Sequence, residues 1–268
     1  MCSSAIIQRL LALACVAVMM SAASPLAEAQ QPRPATPPTQ ARVTTRRAPR
    51  FFVSFNFGRQ TSSTSVTTAS TFSLNQETGH LSSTYGIAAG SSFDVGGGVQ
   101  LWRTLSVGVS IARFARGGMS DVSADLPHPF FFNQSRNISG TAPFDRTELV
   151  THVAALWPIQ LGSAMEVTVF GGPSLFKVRQ DLVSDVTYAE TYPFDVATFG
   201  TAVTVHPSTS VVGMNVGADF TYRLTTNLGV GALVRSSRAT ADLTITPGAT
   251  VPVRSGGIDV GGGVRLRF

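Results

Sequence analysis

Apolar and polar residues alternate along eight segments of the chain. In the last of these, apolar residues stand at 258, 260, 264, 266 and 268, with Asp259, glycines and arginines between them. Successive side chains of a β-strand point to opposite faces, so this alternation predicts strands with one apolar and one polar face. The predicted strands lie at about 51–61, 91–102, 105–114, 149–161, 165–179, 211–224, 228–241 and 258–268. No segment shows a sustained 3.6-residue apolar period, so no helix is predicted after Arg50.

Short and long connections alternate strictly between these strands. Three connections have hairpin length: Arg103-Thr104, 162–164 and 225–227. The other four, at about 62–90, 117–147, 180–209 and 242–255, are long. Short turns join antiparallel neighbours, and their alternation with long loops is typical of a membrane barrel with short periplasmic turns and long extracellular loops. The predicted fold class is therefore all-β, an eight-stranded antiparallel up-and-down transmembrane β-barrel.

The direction of the two faces distinguishes a membrane barrel from a soluble one, because a membrane barrel points its apolar face at lipid. Glycines concentrate on the polar face, which suits a crowded interior: Gly96, Gly98, Gly217, Gly229, Gly231, Gly261 and Gly263. Aromatic residues gather at strand ends, as in interfacial girdles: Trp102, Trp157, Tyr222 and Phe268 near the short turns, and Phe114 and Phe176 near the long loops. Both features favour the membrane barrel.

The first residues form a secretory signal. Arg9 gives a basic start, residues 10–20 are an unbroken apolar run, and Ala27-Glu28-Ala29 is a cleavage motif. We expect residues 1–29 to be a signal peptide that is cleaved after Ala29. Both cysteines lie within it, so the exported chain is expected to lack disulfides and Cys-based metal sites.

A linker and the barrel domain complete the predicted organisation. Residues 30–49 are rich in proline and arginine and are predicted to be an extended linker. Both a plain spacer and a basic arm that touches peptidoglycan or anionic lipid fit this composition. The barrel domain is expected at 50–268, where fifteen Lys or Arg stand against fourteen Asp or Glu. Because a nucleic-acid-binding domain concentrates basic residues on its folded surface, no nucleic acid is expected as a partner.

A narrow barrel places charged side chains in its interior. Eight strands enclose a space that side chains just fill, and isolated buried charges are costly. We therefore predict a paired, hydrated lumen network formed chiefly by Asp94, Glu166, Asp219, Arg223, Asp259 and Arg265, with Asn56, Gln100, His152, Gln160, Arg235 and Arg267 also inside. A narrow conduction path through the same residues is the alternative.

Basic residues also fall near the outer strand ends. Guanidinium groups pair well with phosphate oxygens, so a rim that contacts lipopolysaccharide is predicted at Arg59, Arg113, Arg116, Lys177 and Arg179, with Arg238 and Arg254 nearby. The alternative is that these cations pair with loop carboxylates such as Asp121, Asp145, Glu148, Asp181 and Asp185.

The long loops carry few residues with recognisable chemistry. His80, His128, His152 and His206 lie in different segments without metal-ligand spacing. His128 and His206 stand among Ser and Asp, the residue types of a hydrolytic triad, but no spacing connects them. We expect no catalytic residue, no metal and no cofactor. Aromatic runs at 129–132 and 192–194 are predicted either to be adhesive or to pack over the barrel mouth.

The signal, the eight alternating segments and the final Val264-Arg-Leu-Arg-Phe268 resemble the small bacterial outer-membrane β-barrel superfamily, of the OmpA-like and OmpW-like kind. The resemblance is architectural and covers residues 50–268. It implies a monomer in the Gram-negative outer membrane, with Val264, Leu266 and Phe268 as the signal that the barrel-assembly machinery reads.

Fold alone does not name a function. We expect a non-enzymatic structural or surface-interaction barrel with a plugged polar interior. The alternatives are a narrow passage for small apolar molecules, as the OmpW-like resemblance implies, and a lipid A-modifying barrel enzyme.

Overall fold

The computed structural model describes residues 51–61, 64–102, 104–246 and 249–268. The predicted signal peptide 1–29 and linker 30–49 lie outside the described residues. Within those ranges there are twelve strands: β1 Phe51–Gln60, β2 Thr64–Leu74, β3 Glu77–Ile87, β4 Gly90–Gln100, β5 Ser106–Pro127, β6 Ser135–Gln160, β7 Met165–Gln180, β8 Leu182–Glu190, β9 Ala197–Val205, β10 Ser208–Arg223, β11 Leu228–Thr246 and β12 Ala249–Arg267. The described ranges hold no helix with the length and apolarity to cross a membrane.

Eight of these strands close into an antiparallel ring. Their order around the ring is β1, β4, β5, β6, β7, β10, β11 and β12, and β12 pairs with β1. At the closure, the Phe268 N–H donates to the Phe51 carbonyl at 2.9 Å, and the Phe51 N–H donates to the Phe268 carbonyl at 3.3 Å. The ring confirms the predicted fold class and places a ring strand at each of the eight predicted segments.

The outer surface of the ring is apolar over the half next to the short turns, which we call the membrane half. Exposed side chains there include Phe55, Phe57, Val107, Val109, Ile111, Val153, Trp157, Val169, Val216, Val230, Val234 and Val260. Such a continuous apolar belt is unfavourable in water and is what a lipid-facing barrel wall requires. Polar side chains alternate with these residues and point inward, as predicted.

Glycines on the inner face make room for large side chains. A Cβ on Gly98 would lie 2.5 Å from the Phe52 ring, and a Cβ on Gly217 would lie 2.5 Å from the Phe170 ring. The interior is therefore crowded at these positions, in agreement with the prediction that glycine marks the inner face.

The four long connections are largely β-structure, which the sequence reasoning missed. β5 and β6 continue far beyond the membrane half as one hairpin, and β11 and β12 do the same. β2 and β3 form a separate hairpin that pairs with β5, and β8 and β9 form another. We call these extensions and hairpins together the outer domain.

The apolar face changes sides between the membrane half and the outer domain. On β5, Val107, Val109 and Ile111 point outward and are exposed, whereas Val122, Ala124 and Leu126 are buried. The pairing of β5 with β6 has no register shift between these two stretches, so the sequence itself changes phase. The buried set forms an apolar core: Val66, Leu81, Tyr85, Ile87, Phe114, Val122, Ala124, Leu126, Ile138, Ala142, Phe144, Leu182, Val183, Val186, Ala197, Leu243, Ile245 and Val253.

The burial of Phe114 and Phe176 corrects the predicted outer aromatic girdle. Phe114 and Phe176 are only 4% and 0% exposed, so they do not face lipid. Phe114 lies one residue out of phase with Val109 and Ile111, which places its ring on the inner face. The girdle residues predicted near the short turns, Trp102, Trp157, Tyr222 and Phe268, are all exposed.

Candidate functional site

Three ion pairs stand inside the membrane half. The Arg235 guanidinium donates to Asp94 at 2.8 Å, and the Asn56 amide donates to the other oxygen of the same carboxylate at 3.0 Å. Arg265 forms a two-contact pair with Asp219. Arg267 does the same with Glu166. Paired charges are the expected form of buried charge.

Two further predicted lumen residues, Arg223 and Asp259, do not belong to these three ion pairs. Arg223 donates to the amide oxygen of Gln160 at 2.8 Å, and within the described ranges no carboxylate lies at ion-pair distance from it. Asp259 pairs in register with Arg235 on the neighbouring strand. The structure thus pairs Asp94, Glu166, Asp219 and Arg265, and leaves Arg223 as an unneutralised cation.

A buried polar chain deeper in the lumen joins the predicted His152 to Ser174 and Asn215, which the sequence reasoning missed. The Asn215 amide donates to Ser174 Oγ at 2.8 Å, and Ser174 Oγ lies 2.8 Å from His152 Nδ1. Ser174 Oγ accepts from Asn215, and the direction of its bond with His152 Nδ1 follows the tautomer of the His152 ring. Ser174 and Asn215 alternate in phase with the other inward residues, and that phase was the available signal.

A second polar cluster closes the lumen beneath the outer domain. Arg146 donates to Glu148, to Gln180 Oε1 at 2.7 Å and to the Arg254 carbonyl at 2.7 Å. Glu148 in turn accepts the Gly256 N–H at 2.9 Å. Arg146 and Glu148 are almost completely buried. Glu148, predicted as a possible loop partner of the rim cations, instead joins this seal, with the apolar core stacked above it.

Four of the five predicted rim cations lie on the outer face. Arg59, Arg113, Lys177 and Arg179 are exposed, and Arg113 and Lys177 both pair in register with Leu149. Arg116 is also exposed and lines a surface pocket with Arg179, although its register partner is the inward Arg146. In this zone the ion pairs of the described residues are Arg146–Glu148 and His206–Asp181, and neither uses a rim cation. Contact with lipopolysaccharide stays a prediction.

Three hairpin turns meet at the far end of the outer domain, which we call the tip. Asn75, in the β2–β3 turn, donates to the Pro127 carbonyl at 3.2 Å, and the Asn133 N–H donates to Glu77 at 2.8 Å. Arg136 donates to the Phe194 carbonyl at 2.9 Å and forms an ion pair with Glu190. These bonds join the β2–β3, β5–β6 and β8–β9 turns into one unit.

Aromatic side chains crowd the surface of the tip. Phe130, Phe131, Phe132 and Tyr192 are 64%, 53%, 69% and 83% exposed. The ring of Phe194 lies 5.5 Å from that of Phe130 and 6.0 Å from that of Tyr192. The predicted aromatic runs at 129–132 and 192–194 therefore pack on one another and remain open to solvent.

The charged residues around these rings are mostly acidic. Glu77, Asp125, Glu190 and Asp195 belong to the strand ends and turns of the tip, against the single buried Arg136. His128 Nε2 lies 3.6 Å from Asp195, while its Nδ1 accepts the Phe130 N–H at 3.1 Å. The tip thus combines exposed aromatic faces with surplus negative charge.

The outer histidines do not assemble a triad in the described part of the chain. His206 pairs with Asp181 and His128 with Asp195, and neither forms a hydrogen bond with a serine among the described residues. No group of three His, Cys, Asp or Glu within the same ranges is close enough to hold a metal ion.

No family model matches the sequence, and no curated protein matches it. Among solved structures, the chain is similar to the outer membrane protein OprG from Pseudomonas aeruginosa, with 11% identity, 82% of this chain and 96% of that chain covered, and a TM-score of 0.48. Neisserial surface protein A is 15% identical, with 81% of this chain and 97% of that chain covered and a TM-score of 0.40. The outer membrane protease OmpT from Escherichia coli is 8% identical, with 82% of this chain and 97% of that chain covered and a TM-score of 0.42.

The fold assignment rests on the strands of this chain themselves. Eight of the twelve described strands form a closed antiparallel ring with a lipid-compatible exterior and paired charges inside. That combination is the architecture of small outer-membrane barrels. The chain has the fold of an eight-stranded antiparallel up-and-down transmembrane β-barrel.

Proposed function

We propose that the protein resides in the bacterial outer membrane as a non-enzymatic surface-interaction barrel, whose tip binds a cationic partner surface. The observation that carries this proposal is the cluster of exposed aromatic rings at the tip, among acidic side chains. Exposed apolar patches of this kind mark interaction sites, and aromatic faces attract cations. A basic peptide segment with apolar side chains offers both complements.

The rigidity of the tip favours recognition over mere exposure. Hydrogen bonds from Asn75, Asn133 and Arg136 fix the three turns relative to one another. Binding to a preorganised surface avoids the entropic cost of ordering loops. The membrane half then serves as an anchor that holds this surface away from the bilayer.

A surface role is supported over the passage alternative by the closed lumen. The Arg146–Glu148 cluster and the apolar core above it fill the interior between the membrane half and the tip. We expect the purified protein to show no discrete conductance in planar bilayers. Stepwise single-channel currents would favour the passage alternative.

A non-enzymatic role is proposed because the outer histidines are each paired with an aspartate and lack a serine partner in the described ranges. We expect no turnover when the purified barrel is incubated with lipid A or with peptides. Release of fatty acid or of peptide fragments would favour the enzyme alternative.

The tip proposal is tested by binding a labelled basic amphipathic peptide to the barrel in lipid nanodiscs. Replacement of Phe130, Phe131 and Phe132 by serine should reduce binding by about tenfold or more, because each buried aromatic anchor contributes on the order of 1 kcal/mol or more. Val203→Ser is the matched control, since Val203 is an exposed apolar residue on β9. Equal binding of an acidic peptide by the native protein would refute the charge argument.

A further inference from the structure

A cavity occupies the lumen of the membrane half. Its volume is about 280 Å³, and its lining runs from Gln160, Arg223 and Arg267 beside the short turns to Asp94 and His152. A single water needs only about 10–15 Å³ of such space, so the cavity has room for several waters. An organic ion with a similar number of non-hydrogen atoms fits the same space.

Part of this cavity has apolar walls. Phe52, Ala154, Leu156, Phe170 and Leu233 line it. A Cβ on Gly108 would lie 3.0 Å from Leu156 Cδ1 and 3.5 Å from the Phe52 ring, so these two side chains lie together over a glycine. A lumen filled only by ion pairs and water has no need of such a surface, whereas the body of an organic ligand does.

The charged lining leaves one positive charge without a counterion. Asp94, Glu166 and Asp219 are paired with Arg235, Arg267 and Arg265. The fourth arginine of the lining, Arg223, bonds the neutral amide of Gln160 at 2.8 Å, and its Nε is buried without a partner. A partly exposed guanidinium with free N–H groups favours a carboxylate.

The cation and the apolar wall lie in the same layer of the lumen. Arg223 bonds Gln160, Gln160 bonds Glu166, and Glu166 is paired with Arg267. Arg267 pairs in register with Phe52. This chain of contacts connects Arg223 to the Phe52 side of the cavity near its short-turn end.

We propose that the cavity binds a small monocarboxylate with an apolar body, of the size of benzoate or hexanoate, which enters from the short-turn side. Its carboxylate bonds Arg223, and its body packs against Phe52 and Leu156. The sealed outer end makes this a binding site rather than a passage. The site is independent of the tip and of any partner the tip binds.

Equilibrium dialysis of labelled benzoate against the full chain in lipid nanodiscs tests the site. We expect saturable binding of benzoate. Benzamide has the same shape without the charge, so it should compete at least about tenfold less well than unlabelled benzoate. Arg223→Gln keeps a donor for Gln160 but removes the charge, and should weaken binding by about tenfold or more. Arg238→Gln removes an exposed cation from the outer face of β11 and should bind as the native protein does.

A second variant separates ligand contacts from folding. Leu156→Ser keeps Arg223 and all three ion pairs but removes apolar wall, so it should also weaken benzoate binding. Heat-modifiable gel mobility should show that both variants form the barrel. The proposal is overturned by an absence of saturable binding to the native chain, by native affinity in Arg223→Gln, or by equal competition from benzamide.

Discussion

The guanidinium of Arg235 on β11 hydrogen-bonds the carboxylate of Asp94 on β4 at 2.8 Å, although β12 and β1 separate these strands in the ring. The bond therefore crosses the lumen rather than running along the sheet. Asn56 on β1 donates to the second oxygen of the same carboxylate at 3.0 Å. This arrangement connects three walls of the barrel through one buried anion.

Removal of Arg235 should strongly destabilise the barrel. Arg235→Met leaves the buried Asp94 carboxylate without its counterion, and loss of one partner of a buried pair costs about 3–5 kcal/mol. The double variant Asp94→Asn with Arg235→Met should recover most of that loss, since neither charge then remains. Urea unfolding in lipid vesicles measures both, and a single variant as stable as the native chain would contradict the expectation.

Tyr85 should make the outer domain sensitive to alkaline pH. The side chain is fully buried, and its Oη accepts the Val183 N–H at 2.7 Å. Burial raises the pKa of the Tyr85 phenol above its ordinary value of 10.0. Because the folded-state pKa lies above the unfolded one, the stabilisation is complete below about pH 10 and is lost as the pH rises through the folded pKa.

Tyr85→Phe separates this titration from the hydrogen bond. The variant leaves the Val183 N–H without its acceptor and should cost about 1–3 kcal/mol at neutral pH. Its stability should then fall less steeply than that of the native chain above pH 10. Protease resistance of the outer domain across a pH series measures both effects, and parallel profiles for the two proteins would show that Tyr85 does not titrate on unfolding.

The membrane half was predictable from the sequence because lipid imposes one consistent phase. Apolar residues such as Val107, Val109 and Ile111 recur at every second position, and all eight ring strands were placed. The outer domain was not recognised as strands because its apolar residues have the opposite phase, as Val122, Ala124 and Leu126 show. The contrast between apolar and polar positions is also weaker there than in the membrane half, since alanine, serine and threonine fill many of the positions.

The sequence predicted which residues form the candidate sites better than it predicted their contacts. Inward polar residues followed from strand phase, which placed Asp94, Asp219 and Glu166 inside. Their partners depend on cross-lumen geometry that no local pattern encodes, and so does the isolation of Arg223. The tip joins turns from three hairpins, of which the sequence reasoning had predicted none, so its aromatic runs were found but their convergence was not.

Phe194 should contribute to tip binding at little net cost in stability. Its φ of 73° lies in the left-handed region, which costs a non-glycine residue about 1–2 kcal/mol. Phe194→Gly relieves that cost but loses ring packing worth about 0.5–1.5 kcal/mol. We therefore expect near-native stability with weaker binding of the basic peptide, because Phe130 and Tyr192 lose the ring between them.

The neighbouring turn supplies the control for Phe194→Gly. Asn133 has a φ of 59°, so Asn133→Gly makes the same backbone change without removing an aromatic ring. Its peptide binding should match the native protein. Native binding by Phe194→Gly, or equal loss in both variants, would show that the ring itself has no part in recognition.

The rim hypothesis is tested by the alternation of faces along β5. Arg113, Lys177 and Arg116 are all exposed, but Arg113 and Lys177 are in register with Leu149, whereas Arg116 is in register with the inward Arg146. If the outer cations bind lipopolysaccharide phosphates, Arg113→Gln with Lys177→Gln should lower coprecipitated lipopolysaccharide about fivefold, at about 0.5 kcal/mol for each exposed charge contact. Arg116→Gln removes the same charge from a position in phase with the inward Arg146 and should leave the amount unchanged. Added salt should weaken the native interaction and have less effect on the double variant, because exposed charges are screened. Equal retention by all three proteins would place lipid recognition away from this rim.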